Sequence, residues 1–305
     1  MEKEFINIIK NSLKSNYIGD DCAYLKDFGI LISQDSLVEG VHFLRDKITP
    51  YQLGYKTAMV NISDICASGA EPKYMTISLS LPRDTDKAFV VDFYDGLKSA
   101  CQNVEIVGGD ITASDKIFIS ATVLGSDKGR NISSRSHAKV GQKIVVSGVH
   151  GSSSAGLQLL LNDQLQVEGQ EELIKNHLEP EAQRTFSKEI ATTQKTPYAM
   201  MDTSDGIMDA LSQIAEKSKV LMSVDFDKIP INHKIKVFSN WHELVLYGGE
   251  DYQLIATVDE PTDNMTVIGE VKTGLGVEID GQFISKSEIE GKEFKHFILS
   301  EKVSR

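Results

Sequence analysis

The chain has 305 residues, 41% of them hydrophobic, and is therefore long enough for about two globular domains. Its formal net charge of −12, from 44 acidic and 32 basic residues, argues against nucleic acid and anionic membranes as partners. The three widely spaced cysteines argue against a disulfide framework, and no stretch approaches the ~20 apolar residues of a membrane span, which favours a cytoplasmic protein.

Hydrophobic periodicity predicts alternating helices and strands in the first half of the chain. Pro50 suits the first turn of one of these helices, and Pro82 would end one of the strands. The predicted elements are a helix at 3–13, a strand at 29–33, a helix at 50–68, a strand at 74–81, a helix at 86–102 and a strand at 117–125.

A polar stretch at 125–142, rich in glycine, serine and charge, is the best candidate for a domain boundary. We therefore predict an N-terminal domain at 1–138 and a C-terminal domain at 139–305, both mixed α/β (α+β). The elements predicted in the second half are a strand from Lys143 followed by an apolar helix, helices near 170–193 and 206–217, and strands near 197–201, 220–225, 252–258 and 266–271.

Several acidic residues lie beside glycines, at the ends of apolar strands or inside apolar helices, unlike the scattered charges of a solvated surface. Taken singly, each could be a solvated turn or a helix cap. Taken together, they would leave many carboxylates partly buried, with Lys56 and Arg135 as the obvious basic neighbours. Oxygen ligands and few histidines then favour magnesium over zinc. The acidic groups are Asp20 with Asp21, Asp35, Asp64 with Asn61 on one helical face, Asp110, Asp202 with Asp205, and Glu250 with Asp251.

The common nucleotide-binding motifs are missing, since neither G-x-x-x-x-G-K-[ST] nor G-x-G-x-x-G occurs. The spaced glycines at 148–156 could form an anion-binding helix N-terminus or simply a tight strand-to-helix turn. The residues alone therefore predict a two-domain α/β protein with a site for several magnesium ions that handles phosphates.

Six motifs in a fixed order make the chain recognisable. It resembles the thiamine-monophosphate kinases, within the superfamily named for aminoimidazole ribonucleotide synthetase, from about residue 17 to the F-K-H-F at 294–297. The motifs that carry the resemblance are GDDCA (19–23), SQDSLVEGVHF (33–43), NISDICASGAEP (61–72), VGGD (107–110), DTSDG (202–206) and GGEDYQL (248–254).

The resemblance implies an enzyme that phosphorylates thiamine monophosphate to thiamine diphosphate with ATP and several Mg²⁺ ions, as the last step of thiamine diphosphate biosynthesis. It also implies a homodimer whose N-terminal sheets pair, and a site in which Asp64 and Asp110 matter most. The implied site residues are, for magnesium, Asp21, Ser33, Gln34, Asp35, Asp64, Asp110, Asp202 and Asp205; for ATP, Tyr94, Gly109, Asp110, Arg135 and Ser204; and for thiamine monophosphate, His42, Glu250 and Phe294.

The chain departs from the family pattern at three positions. Gln34 stands where the family usually has Thr, Ser152 where it usually has Asp, and Phe294 where Trp is common. Gln34 can still supply a carbonyl oxygen, and Phe294 preserves an aromatic ring for stacking on a cationic heterocycle.

The acceptor's chemistry predicts direct transfer without a protein general base. A phosphate monoester has a second pKa of about 6, so it is mostly a nucleophilic dianion at neutral pH. We therefore expect His42 to contact substrate and not to act as a base.

Two alternatives to this function remain at the level of sequence. One is another ATP-dependent enzyme of the same superfamily. However, the reactive cysteines of selenophosphate synthetase and the hydrogenase-maturation dehydratase have no counterpart here, and the motif at 33–43 fits the ribonucleotide synthetases poorly. The other is a non-catalytic nucleotide- or metal-binding module, against which the ligand set spread over both predicted domains argues.

Overall fold

In a computed structural model that describes residues 2–162 and 164–292, the first half of the chain forms a five-stranded sheet. Its elements are α1 (Glu2–Leu13), β1 (Ala23–Leu25), β2 (Ile30–Val38), α2 (Pro50–Ala67), β3 (Glu71–Leu81), α3 (Lys87–Cys101), β4 (Glu105–Ala113) and β5 (Phe118–Ser126). The strand order is β1-β2-β5-β3-β4. Strands β3 and β4 run parallel, and the other neighbours are antiparallel.

The second half forms a seven-stranded sheet among the described residues. Its elements are β6 (Lys143–Val146), α4 (Ser152–Leu161), α5 (Gln170–Leu178), α6 (Arg184–Thr193), β7 (Met200–Asp202), α7 (Ile207–Ser218), β8 (Leu221–Val224), α8 (Trp241–Tyr247), β9 (Leu254–Val258), β10 (Thr266–Lys272), β11 (Gly276–Ile279), β12 (Gln282–Ile284) and α9 (Lys286–Lys292). The strand order is β12-β11-β8-β10-β6-β9-β7, with one parallel pair, β11 and β8. No helix in the described ranges has the length and hydropathy needed to cross a membrane.

This architecture confirms the predicted mixed α/β fold class. The boundary between residues 138 and 139 stays a prediction, as does the pairing of N-terminal sheets across a dimer. The polar stretch at 125–142 does separate β5 from β6, as its composition indicates.

In several regions the structure differs from the prediction. Strand β2 continues to Val38 because it pairs with β5 along its whole length, so Asp35 lies inside the strand and not at its end. The VGGD motif at 107–110 lies within β4, which the sequence pattern did not predict because glycine is depleted in strands. The region 170–193 holds two helices, α5 and α6, with Pro180 in the break between them.

Helix α2 is buried on almost every side, between the first sheet and elements of the second half such as β7 and α6. It crosses α3 at two glycines. A Cβ on Gly54 would lie 1.9 Å from the Phe93 carbonyl oxygen, and one on Gly96 would lie 1.8 Å from that of Tyr51. Only glycine permits this close approach, which holds α2 at the centre of the molecule.

Candidate active site

Three carboxylates meet where the two halves of the chain touch. Asp21 precedes β1, Asp64 lies on α2 and Asp202 ends β7, and each offers an oxygen atom within 4.8 Å of the others. Hard oxygen donors at such a spacing are what a divalent cation such as Mg²⁺ requires. The structure therefore brings together three of the predicted magnesium ligands.

Serine hydroxyls hold two of these carboxylates in place. Ser33 on β2 donates a hydrogen bond to Asp64. Ser63 on α2 donates to Asp202 at 2.6 Å, and Ser204 donates to the other Asp202 oxygen at 2.9 Å. The hydrogen bond from Ser63 to Asp202 also connects α2 to the second half of the chain.

The electrostatics of the cluster favour a bound cation. Burial, followed by the charges of Asp35 and Asp202, raises the pKa of Asp64 well above its usual range. Burial and the charge of Asp21 raise the pKa of Asp202 to about 7. A divalent ion would offset this repulsion, so the donor set and its charge fit magnesium.

Arg135 lies at the edge of the cluster. Its guanidinium donates to Asp21 at 2.8 Å and to the Gln213 side chain at 2.5 Å, and its backbone N–H donates to Asp20 at 2.8 Å. A guanidinium fixed in this way presents a rigid cation beside the carboxylates, as binding of a phosphate requires. The contact of Arg135 with ATP stays a prediction.

The alternation of β2 separates two predicted ligands. Asp35 shares the helix-facing side of the strand with Ser33, and its backbone N–H donates to Asn61 on α2 at 2.9 Å. Gln34 lies on the outer face, where its amide hydrogen-bonds Ser120 at 3.0 Å and Thr122 at 3.1 Å. Asp35 therefore lies on the side of the cluster, whereas the Gln34 side chain does not.

Asp110 lies three strands away from the predicted ligands on β2. It pairs with Ser78 on β3, which pairs with Ser120 on β5, which pairs with Ser36 on β2. Three interstrand spacings, about 14 Å, therefore separate Asp110 from β2, and Asp110 lies on the outer face. Because ligands of one Mg²⁺ lie about 2.1 Å from it, Asp110 and Asp35 of one chain cannot share an ion.

The remaining predicted ATP contacts have varied surroundings. Gly109 neighbours Asp110 on β4, where a Cβ would lie 1.9 Å from the Ile77 carbonyl oxygen. Tyr94 lies on α3, its ring packed edge-on against Phe93 at 5.5 Å between centroids. Asp205, a predicted magnesium ligand, lies in the turn between β7 and α7.

A second polar group surrounds Glu250. Its carboxylate lies 3.1 Å from the Lys56 ammonium of α2 and 3.3 Å from Nδ1 of His177 on α5. Burial by itself would raise the pKa of Glu250, but Lys56, His177 and His42 outweigh it and lower that pKa. The His42 ring Nδ1 accepts the Val38 N–H at 3.0 Å.

Of the predicted substrate contacts, His42 lies close enough to Glu250 for its charge to lower the Glu250 pKa, and Phe294 lies outside the described residues. Sequence reasoning did not name Ser63 or His177. A hydroxyl inside the apolar run of α2 was the available signal for Ser63, whereas nothing local marks His177.

Comparisons with known proteins agree with the motif pattern. The family models for AIR synthase related protein match the chain, the N-terminal domain over residues 19–126 and the C-terminal domain over 139–290. The chain is 40% identical over 306 residues to the thiamine-monophosphate kinase of Aquifex aeolicus, covering 96% of both proteins. It is 34% identical over 251 residues to that of Bacillus subtilis, covering 79% of this chain and 77% of the relative.

Solved structures give the same relationship. A structure described as AaThiL complexed with AMPPCP and TMP matches with a TM-score of 0.87 and 38% identity, covering 96% of both chains. Thiamine monophosphate kinase from Aquifex aeolicus matches with a TM-score of 0.84 and 38% identity, covering 92% of this chain and 96% of the other. A HypE-HypF complex matches at 0.74 with 18% identity, over 90% of this chain and 94% of the other, which shows a shared fold alone.

Proposed function

The chain belongs to the thiamine-monophosphate kinases, and we propose that it uses ATP and magnesium ions to convert thiamine monophosphate to thiamine diphosphate. The observation that carries this proposal is the meeting of Asp21, Asp64 and Asp202 from both halves of the chain. A relative of the same fold was solved with AMPPCP and TMP. The cytoplasm is the location we propose, since all three cysteines are buried free thiols.

We assign the metal-holding role to Asp21, Asp64 and Asp202, with Asp35 nearby on β2. Magnesium ions bound there would neutralise phosphate charge as two polyanions approach each other. The chain itself supplies positioning. The serines on β2 and α2 orient the carboxylates, and Arg135 presents a fixed cation to a phosphate.

The phosphoryl group would pass directly from ATP to the acceptor phosphate, because that dianion needs no base to become nucleophilic. The hydrogen bond from Val38 to Nδ1 of His42 supports this reading. With Nδ1 accepting, the neutral ring carries its proton on Nε2, so it can donate to a substrate but offers no lone pair there. Transfer of a chiral γ-thiophosphate should invert the configuration at phosphorus, whereas retention would indicate a covalent intermediate.

The first test is the reaction itself. Purified protein incubated with ATP, Mg²⁺ and thiamine monophosphate should form thiamine diphosphate and ADP in equal amounts, measured by chromatography. Addition of excess EDTA should stop the reaction. Consumption of ATP without formation of the diphosphate would contradict the proposed activity.

We further propose a homodimer formed through the N-terminal sheets. Every residue of β4 except Ile106 is exposed, including Val107 at 53% and Ile111 at 62%, so this edge strand presents apolar surface and unpaired backbone groups. Asp110 and Gln34 both lie on the outer face of the sheet. A dimer that joins these faces would let the partner subunit's Asp110 approach β2 from the Gln34 side, which would account for a predicted ligand that lies about 14 Å from β2 of its own chain.

Subunit mixing tests the shared site. Asp64→Ala and Asp110→Ala chains, carrying different tags, would be co-expressed and the heterodimer purified through both tags. If the site draws Asp110 from the partner, one of the two sites has both substitutions and the other has none, so the heterodimer should have about half the wild-type rate. Inactive heterodimers would show instead that each chain uses its own Asp110.

A further inference from the structure

Two side chains on one face of α2 contact two carboxylates of the second half of the chain. The Lys56 ammonium lies 3.1 Å from Glu250, and the Ser63 hydroxyl lies 2.6 Å from Asp202. Seven residues make almost two full helical turns, so both side chains point the same way and lie about 10.5 Å apart along the helix axis. Helix α2 therefore links the carboxylate of the predicted substrate contact to a carboxylate of the metal cluster.

The Lys56 side of this ion pair is deeply buried. The Lys56 side chain is 1% exposed, and that of Glu250 is 25% exposed. A buried ammonium is stable only beside an anion, so Lys56 has little freedom to leave Glu250. The Glu250 backbone is fixed as well, since its φ is 64° and its N–H donates to the Ser204 carbonyl oxygen at 2.7 Å.

We infer that Lys56 is a positioning residue that holds the Glu250 carboxylate at a set distance from the metal-binding carboxylates, with α2 as the rigid spacer. The inference rests on the proposed function, in which Glu250 contacts thiamine monophosphate. A spacer of this kind would place the acceptor phosphate relative to ATP, because the two bind at opposite ends of the same helix face. A displacement of even about 1 Å at such a site can lower the rate about 100-fold.

The groups around Glu250 determine what the loss of Lys56 would do. Lys56, His177 and His42 lower its pKa, and Lys56 has the largest effect of the three. Asp251 and Tyr252 follow in the chain; burial raises the pKa of Asp251 to about 7 and that of Tyr252 well above its usual value, and the charge of Glu250 adds to both shifts. Without Lys56, burial would dominate, so the pKa of Glu250 should rise.

The first experiment compares Lys56→Met with Thr57→Val. Thr57 is a buried neighbour on α2 whose hydroxyl bonds the Leu53 carbonyl oxygen and not Glu250. Lys56→Met should raise the KM for thiamine monophosphate roughly tenfold and leave the KM for ATP within about twofold. Its kcat/KM for thiamine monophosphate should also acquire a new ionisation, with activity falling as Glu250 is protonated on the acid side. Thr57→Val should show neither change.

The second experiment is a double-mutant cycle that also remains informative if Lys56→Met folds poorly. Glu250→Gln removes the charge that Lys56 holds, so adding Lys56→Met to it removes both charges and restores neutrality in the buried site. If Lys56 acts through Glu250, the double variant should match Glu250→Gln in KM within about twofold.

The outcomes separate the two proposals. If the wild type is active and Lys56→Met behaves like Thr57→Val, the positioning role of Lys56 is overturned while the proposed function stands. A double variant that loses a further tenfold relative to Glu250→Gln would overturn it as well, because Lys56 would then act independently. A wild-type chain that makes no thiamine diphosphate would refute the proposed function itself.

Discussion

Replacing the buried His150 should change how the stability of the protein depends on pH. His150 lies in the connection from β6 to α4, is 1% exposed, and has no hydrogen-bond partner on either ring nitrogen among the described residues. Burial lowers its pKa from 6.5 to about 4. The unfolded chain therefore takes up a proton at higher pH than the folded protein does, so stability that is fully present above pH 6.5 is lost as the pH falls toward 4.

The magnitude follows from this difference. Each pKa unit corresponds to about 1.4 kcal/mol, and about pH 5 lies 1.5 units below the unfolded value, so His150 should cost about 2 kcal/mol there. At about pH 7.5 the cost is close to zero. His150→Leu removes the titrating group while keeping a similar side-chain volume. Between about pH 7.5 and about pH 5, its free energy of unfolding should therefore fall by about 2 kcal/mol less than that of wild type.

Urea unfolding followed by circular dichroism at both pH values measures the free energy of unfolding directly. His233→Leu, at an exposed position, is the control and should follow wild type. Other titrating groups contribute equally to both proteins and cancel in the comparison. If wild type and His150→Leu lose the same stability to within a few tenths of a kcal/mol, the ring is not desolvated as its burial indicates, and the reasoning fails.

Three further predictions concern the site and the core. Asp64→Ala should fold but lose roughly 100-fold or more in activity and should no longer be stabilised against heat by Mg²⁺. Asp92→Asn, at an exposed position, should keep both properties, and an active Asp64→Ala would refute the metal assignment. Gly54→Ala should lower the free energy of unfolding by about 1–3 kcal/mol, because its Cβ would lie 1.9 Å from a carbonyl oxygen of α3. Gly291→Ala on α9 has open space around it and should be neutral or slightly stabilising. Equal unfolding midpoints for the two variants would contradict this prediction. His42→Asn should retain at least roughly a tenth of the maximal rate at saturating substrate, and a fall of 100-fold or more would return His42 to the chemistry as a base.

The sequence by itself determined the family and much of the secondary structure. Helix α2 begins at Pro50 as predicted, and strands β3 and β5 follow the alternation read from 74–81 and 117–125. These features are local, because periodicity and proline geometry act within a few residues. The ordered motifs identified the family for a similar reason, since each motif is a short segment whose residue types can be recognised without knowing its neighbours in space.

Which residues meet was decided only by the tertiary structure. Asp21, Asp64 and Asp202 come from a loop, a helix and a strand, and their proximity depends on how the two sheets enclose α2. Successive side chains of a strand point to opposite faces, so Gln34 lies on the outer face of β2 whereas its neighbour and predicted co-ligand Asp35 lies on the helix-facing side. This separation depends on β2 pairing with β5 along its full length.

The positions of Asp110 and Lys56 were likewise decided only by the tertiary structure. The strand order set Asp110 three strands away from β2, a distance that no local pattern contains. Lys56, noted in the sequence only as a nearby basic residue, became an ion-pair partner of Glu250, which lies 194 positions further along the chain. Contacts between residues so distant in sequence arise from packing of whole elements, and packing is a property of the folded chain that short-range patterns do not encode.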